Sequence, residues 1–315
     1  MAMKINNITD LHEVKHENYR FTVEENILKI TNSKEKIEFN IEFEEGKKLK
    51  TSKTIEKYTG LKLQLDELDE REVLSFIEDK GFNKVMWNPI GKAMHKYNMV
   101  EPGDRIAVGV SGGKDSMTLL NALVRIKKIV NFDFEILPIH IHPSVDSAKY
   151  DLIDRYCKKL GLELQVEKTD LAKFLFEEKK PKNPCFLCGR IRRGILYRMM
   201  KEQNINKLAL GHHKDDIIET FLMNIFYQGN MYAMKPAYES EEYGVKIIRP
   251  LAFVEEKDVI RYVKRVDIPI LVSECPYETN ENSRRLKMKN LIKDLSKDNS
   301  EIRSVILNGI KDLLV

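Results

Sequence analysis

"RIAVGVSGGKDSMTLLNAL", residues 105–123, passes from an unbroken apolar segment through two glycines into apolar residues at helical spacing. A short apolar run without polar alternation reads as a strand buried on both faces of a parallel sheet, and the helix after it makes the stretch one βα unit. Gly112 and Gly113 carry no Cβ, so their backbone N–H groups can approach an anion closely, and the following helix adds the positive end of its dipole. Ser111 and Ser116 are candidate hydroxyl donors, and Lys114 is suited to neutralise phosphate charge. Asp115 is the odd member beside an anion. A carboxylate there either holds Mg2+ or fixes the loop by accepting backbone hydrogen bonds. The string is neither a Walker loop, which needs a four-residue gap between glycines, nor the G-x-G-x-x-G dinucleotide fingerprint.

Working outward, buried strands and helices alternate: "FEILPIHIH" (134–142), a helix around 146–160, "ELQVEKT" (163–169), a helix from about 188, "KLALG" (207–211) and a helix from Asp215. This order predicts an α/β fold with a doubly wound parallel sheet. Ligands of such sheets sit at the carboxyl ends of the strands, where "SGGKDS", "HIHPS" and "GHHKDD" all fall. Asp215 and Asp216 then stand at a helix start beside the crevice, where paired carboxylates can bind Mg2+ or orient a substrate. Helix capping accounts for one of them and leaves the other unexplained. His140 and His142 read equally well as ordinary strand-end histidines.

At 315 residues and 42% hydrophobic content the chain is long enough for a sizeable core. Residues 1–80 hold 14 Lys+Arg against 18 Asp+Glu; the totals of 53 and 49 leave 39 against 31 in 81–315. A basic surplus on the part that carries the glycine motif favours a polyanionic partner, although a solvated lysine-rich surface reads the same way. In residues 1–80, "YRFTVEENILKITN" and "EKIEFNIEFEEG" alternate, with Ile37, Phe39, Ile41 and Phe43 on one face, which predicts a small antiparallel sheet. "DELDEREVLSFIEDKGF" (66–82) follows with helical spacing of Leu68, Val73, Phe76 and Ile77. The expected domains are a small acidic α+β accessory domain (1–80), the motif-bearing domain (81–275) and a helical segment (276–315). No apolar stretch reaches the ~18–20 residues of a spanning helix, and the N-terminus lacks a secretory signal, so a cytoplasmic protein with no membrane is expected.

Four cysteines are too few for a disulfide scaffold in a chain this size. "NPCFLCGRIRRGILYRMM" (183–200) places Cys185 and Cys188 just before a helix rich in arginine. Two thiolates at this spacing suit zinc or iron-sulfur ligation, while a redox disulfide and chance also remain. Cys275 is the plausible distant third ligand, since Cys157 falls on an apolar helical position and reads as core. Three cysteines make an incomplete cage for structural zinc, but they can hold a [4Fe-4S] cluster with one iron left open to carry a sulfide.

"SGGKDS" resembles the pyrophosphate loop (PP-loop) of the N-type ATP pyrophosphatases, which split ATP between the α and β phosphates and adenylate a substrate. The resemblance implies the adenine nucleotide alpha hydrolase-like fold and assigns Ser111, Gly112, Gly113, Asp115 and Ser116 to pyrophosphate. "LPIHIHPS" resembles the adenosine-binding turn, with backbone around Ile139, His140 and Ile141 meeting the base, and Gly211, His212 and Asp216 match the family's G-H-x-x-D-D pattern. "IGKAMHKYNMVEPGDRIAVGVSGGKDS", "CFLCGRIRRGILYRM", "ALGHHKDDIIETFLMNIFYQG" and "IIRPLAF", in that order, are similar to the tRNA 2-thiocytidine synthetase group. That similarity implies ATP, Mg2+ and a [4Fe-4S] cluster on Cys185, Cys188 and Cys275, with tRNA as substrate and Asp115, Cys185, Cys188 and Asp216 catalytic. Arg190, Arg192, Arg193, Arg198, Lys214 and Arg249 are then candidates for tRNA phosphates. The sulfur donor would be a cysteine desulfurase or free sulfide, and a homodimer is a candidate assembly. Two features depart from the group: Cys275 stands alone in "ECPYETNENSRR", and the acidic N-terminal unit is long. The competing readings are a related enzyme that thiolates uridine or ligates an amine, and a zinc-dependent RNA-binding protein.

Overall fold

The structure is a computed structural model that describes residues 3–5, 8–35, 37–43, 48–61, 63–65, 80–143, 150–179, 181, 184–266, 268–271 and 284–315. The chain forms two compact units, Met1–Glu78 and Asp79–Val315. The first holds β1 (Met3–Ile5), the antiparallel sheet β2 (Lys15–His16), β3 (Tyr19–Glu24), β4 (Ile27–Asn32) and β5 (Ile37–Glu42), then α1 (Lys48–Thr59) and β6 (Leu63–Leu65). β6 returns to pair in parallel with β1. The period-2 alternation works as read: Phe21, Leu28 and Ile30 face one core with Phe43, and Ile55 of α1 closes it. The helix expected over 66–82 falls mainly on 66–79, outside the described residues.

In the second unit α2 (Asn88–Lys96) precedes β7 (Arg105–Gly109), α3 (Lys114–Ile129), β8 (Glu135–His142), α4 (Asp151–Lys159) and β9 (Gln165–Lys168). The chain continues through α5 (Pro184–Glu202), β10 (Lys207–Ala209), α6 (Lys214–Gln228), β11 (Ala237–Ser240), β12 (Val245–Ile248), α7 (Glu256–Val266), α8 (Arg284–Asp298) and α9 (Ile302–Gly309). The sheet order is β11-β12-β10-β7-β8-β9, and every pair is parallel except β11 with β12. Ile106, Ala107 and Val108 are wholly buried, as helices on both faces require. α3 is apolar on most sides because it lies between the sheet and α7, where Tyr262 is fully buried. A buried polar chain fixes that packing: Tyr156 donates to Asn121 Oδ1 at 3.0 Å, and Asn121 Nδ2 donates to the Tyr262 hydroxyl at 3.0 Å.

α5 starts at Pro184 rather than near 188, so the C-x-x-C opens the helix instead of preceding it. Proline suits a first helical position because its missing N–H would have no partner there. α8 and α9 both pack on α6 within the same unit. Among the described residues no helix is long and apolar enough to cross a membrane.

Candidate active site

The chain enters the sheet at β7 and winds outward on both sides of it, through β8 on one flank and β10 on the other. Loops leaving neighbouring strands diverge at such a switch point and open a crevice at the carboxyl edge. Pairing of β7 with β8 ends at Gly109–Ile139, while β8 with β9 continues to His142–Lys168, so β8 overruns β7 and forms a wall. The loops after β7 and β10 meet here. A Cβ built on Gly211 would lie 2.9 Å from the carbonyl carbon of Asp115 and 3.0 Å from the Ser116 nitrogen, an approach that only glycine permits.

The loop 111–113 is shaped from within. Ser116 Oγ donates to Gly113 O at 3.0 Å and accepts from Ser111 N at 3.2 Å, so this hydroxyl builds the turn rather than facing outward. Gly112 has φ +83, and a Cβ there would strike Leu271 at 2.7 Å and Ile153 at 2.9 Å. Gly112 O accepts from Leu271 N at 3.0 Å. Gly113 is the N-cap of α3, and no side chain caps that helix start. Its first N–H groups therefore need another acceptor, and the helix dipole favours an anionic one.

Lys114 Nζ lies 2.8 Å from Asp115 Oδ2 and 3.2 Å from Glu256 Oε1. Burial works against its charge, but the two carboxylates outweigh it and hold the ammonium above the usual lysine range. Asp115 Oδ1 is buried with no hydrogen-bond partner among the described residues. Of the two roles open to Asp115, fixing the loop through backbone N–H groups is not observed; the unpartnered oxygen fits a cation.

α6 has the opposite start. His213 is its N-cap in a reciprocal capping box: Asp216 N donates to His213 Nδ1 at 3.4 Å, and His213 N donates to Asp216 Oδ2 at 3.0 Å. Because Nδ1 accepts, the ring proton sits on Nε2, which faces Asp115 Oδ1 at 3.6 Å. Asp216 Oδ1 accepts from Arg285 at 2.8 Å. Asp215, 5% exposed, accepts from Glu256 N at 2.8 Å and from Arg303 Nε at 2.6 Å. Each of the four oxygens of the aspartate pair, the expected Mg2+ ligands, accepts one hydrogen bond from a protein group. The aspartate that capping left unexplained, Asp215, ties α6 to the start of α7 and to α9.

The remaining expected residues divide. Ile139 and Ile141 are buried within β8 rather than on a turn beyond it, because the strand runs on to His142. His140 Nδ1 donates to Val110 O at 2.7 Å, and burial keeps its pKa below the usual imidazole value. His212 accepts from Arg249 Nε at 3.1 Å; burial, then the Arg249 charge, lowers its pKa to about 4. Arg249 is itself buried, donating also to Lys235 O, and Lys214 pairs with Glu255 at 3.2 Å with its side chain 12% exposed. Both were expected on tRNA phosphates; here each is enclosed and held by these protein partners. On α5, Arg190 and Arg193 are exposed, Arg192 is half-buried and acts electrostatically on His140, and Arg198 is paired with Glu167.

Cys188 is half-buried in the first turns of α5, whose Leu196 and Met200 pack against Ile139 and Ile141 of β8. Cys157 is wholly buried and burial pushes its thiol up to about 12, as a core cysteine should be. Cys275 lies outside the described residues. Among the described residues no three His, Cys, Asp or Glu side chains are arranged to hold a metal ion.

Sequence reasoning missed His213, Glu219, Glu256, Arg285, Lys289 and Arg303. Only His213 carries a local signal, since H-K-D-D places a side-chain acceptor three residues before an acidic N3. The others come from the last sixty residues or from the hidden face of α6 and meet the site only through tertiary packing. Glu256 accepts from Lys289 at 2.6 Å, and Arg285 reaches Glu219 at 3.9 Å.

A PP-loop domain model matches residues 86–292. The tRNA-cytidine(32) 2-sulfurtransferase of Geotalea uraniireducens (strain Rf4) is 37% identical over 241 residues, 76% of this chain and 95% of the relative. The enzyme of the same name from Syntrophotalea carbinolica is 36% identical over 75% of this chain and 92% of the relative. Among solved structures, the U34-tRNA thiolase NcsA from Methanococcus maripaludis, with its [4Fe-4S] cluster, superposes with a TM-score of 0.62 over 74% of this chain and 78% of that one. At 24% identity this second likeness speaks for a common fold. A switch point with an uncapped helix behind two glycines, and relatives covered almost end to end, lead to one conclusion: the chain belongs to the PP-loop family and groups there with the tRNA-cytidine(32) 2-sulfurtransferases.

Proposed function

We propose that the chain is an ATP-dependent tRNA sulfurtransferase that replaces the C2 oxygen of a cytidine with sulfur. The observation that carries this reading is the contrast between two helix starts at one switch point. α6 is closed by its own capping box; α3 is left without a side-chain cap, behind two glycines and beside Lys114 and an unpartnered carboxylate oxygen. Such a start binds phosphate, and the names of the relatives supply the acceptor.

The cytosine C2 oxygen is a poor leaving group. It attacks the α-phosphorus of ATP, pyrophosphate departs, and the oxygen becomes part of an AMP leaving group. The N–H groups at the start of α3 and Lys114 stabilise the charge gathering on pyrophosphate. Asp115, through Oδ1, is the residue that would hold Mg2+, which supplies Lewis-acid neutralisation of the phosphates when bound. His213 Nε2 faces this oxygen at 3.6 Å. Sulfide, from a cysteine desulfurase or free in solution, then attacks C2 and AMP leaves with the former C2 oxygen.

A [4Fe-4S] cluster on Cys185, Cys188 and Cys275 would, when bound, present that sulfide. In support, Cys185 and Cys188 are three positions apart at the start of α5, the positive end of its dipole, which favours thiolate. Arg190, Arg192 and Arg193 on the same helix are the tRNA contacts this reading retains.

Mass spectrometry of tRNA nucleosides from a strain lacking the gene tests it. 2-Thiocytidine is expected to vanish and to return with the gene restored. Loss of a thiouridine instead, or no change in any thiolated nucleoside, refutes the reading.

A further inference from the structure

A second concave site lies in the same unit, on the far side of Lys214. It is a pocket of ≈ 450 Å³ between α2, the turn at Phe253, α9 and the chain after it, within the ~300–1,000 Å³ range of ligand sites. Lys92, Lys96, Lys214 and Lys311 line it, and no acidic residue does. Lys214 is paired with Glu255, but among the described residues no carboxylate pairs with Lys92, Lys96 or Lys311. Three like charges around one cavity repel one another and call for an anion.

The floor is aromatic. Tyr97 and Phe253 stand with ring centroids 6.1 Å apart and planes at 54°, and Lys96 Nζ lies 5.2 Å from the Tyr97 ring centroid. The Tyr97 hydroxyl is buried without a hydrogen-bond partner among the described residues, an arrangement that costs stability. Asn88, Ser304 and Asn308 add neutral donors and acceptors. Cations for phosphate, a ring face for a base and amide or hydroxyl groups for a ribose are the parts that hold one nucleotide of a single strand. An acidic peptide would leave the ring pair without a matching group. Position agrees: Lys214 lines the pocket, while His213 before it faces Asp115 Oδ1.

From this juxtaposition we infer that the pocket is a second docking point for the tRNA substrate, taking a phosphodiester on Lys92, Lys96 and Lys311 with its base against Tyr97 and Phe253. This rests on the tRNA reading above. The test is fluorescence anisotropy of the full chain with unfractionated tRNA across a salt series. The variants are K92A/K96A/K311A, its Lys→Arg counterpart and Tyr97→Ala. The alanine triple is expected to bind at least tenfold more weakly at low salt, with the slope of log Kd against log salt lowered by roughly 0.7, the value for one single-strand phosphate contact. The arginine triple should keep most of the affinity. Tyr97→Ala should weaken binding while leaving the salt slope unchanged, because a ring contact releases no counterions. An alanine triple that binds tRNA with wild-type affinity and slope overturns the inference alone. So does a second ATP, seen as two bound per wild-type chain and one per alanine triple with tRNA affinity unaltered. Wild-type protein that binds no tRNA overturns the functional reading as well.

Discussion

Gly211→Ala tests the convergence on which the site depends. Its Cβ would come within 2.9 Å of the Asp115 carbonyl carbon and 3.0 Å of the Asp115 oxygen and Ser116 nitrogen, where ordinary contact begins at 3.4 Å. All three atoms are backbone in a helix start, so no side chain can swing aside, and β10 must part from α3 by roughly 0.5 Å. Overpacking against backbone costs about 2–3 kcal/mol, the upper part of the usual range. In a unit of this size that lowers Tm by roughly 5–10 °C. Function should suffer more than stability does, since a ~1 Å misplacement of reacting groups costs ~100-fold and half of it about tenfold. The assays are thermal melting by circular dichroism and ATP-dependent tRNA thiolation at a temperature where the variant is folded. Gly91→Ala is the control: nothing lies within 4 Å of a Cβ there, and alanine inside α2 should stabilise by up to ~1 kcal/mol. If Gly211→Ala melts with the wild type and thiolates at the same rate, the two motifs do not share the contact described.

Two further outcomes follow from the charged network and one from the cysteines. Burial raises the Glu219 carboxyl to about 7, well above the usual carboxylate range, against the lowering pull of Arg285. The native protein keeps this proton where the unfolded chain has lost it, so the contribution is complete below the unfolded value and fades as pH rises through 7. Glu219→Gln should therefore gain roughly 2–3 kcal/mol on the wild type between pH 5 and pH 8; parallel Tm–pH curves would show the carboxyl to be unperturbed. Arg303→Met removes one partner of the buried Asp215 and should cost about 2–3 kcal/mol in urea unfolding, part of which Asp215→Asn in the same chain restores. Cys185→Ala, Cys188→Ala and Cys275→Ala should each abolish thiolation while ATP still binds, whereas Cys157→Ala should change only stability; full iron content and activity in Cys275→Ala would refute a three-cysteine site.

The sheet was legible because its strands are short apolar runs that can only be buried on two faces, and each is followed by a helix. Boundaries shifted where a local rule applied, as at Pro184, whose preference for the first helical turn carries the helix over both cysteines. The phosphate loop was legible because its glycines do a backbone task that no other residue performs. The environments of charged side chains were not. Arg249 and Lys214 look like surface cations in sequence, and only the packing of β11 and the turn at 253–255 shows them enclosed and partnered. Asp215 and Asp216 form a pair on paper, yet one closes its own helix while the other holds a residue 88 positions away. The parallel pairing of β1 with β6 is hidden for the same reason: nothing near Met3 announces Leu63.

The Asp215–Arg303 tie also sets a timetable. The glycine loop and the start of α3 precede Asp215 in the chain, but Asp215 lacks the guanidinium that pairs with it until residue 303 has been made. For the seconds in which the last forty residues are made, at ~5–20 residues per second, β7 to β12 can pair while Asp215 and Asp216 repel each other at the mouth of the crevice. The charge balance of the aspartate pair is thus completed late, when α8 and α9 arrive with Arg285 and Arg303.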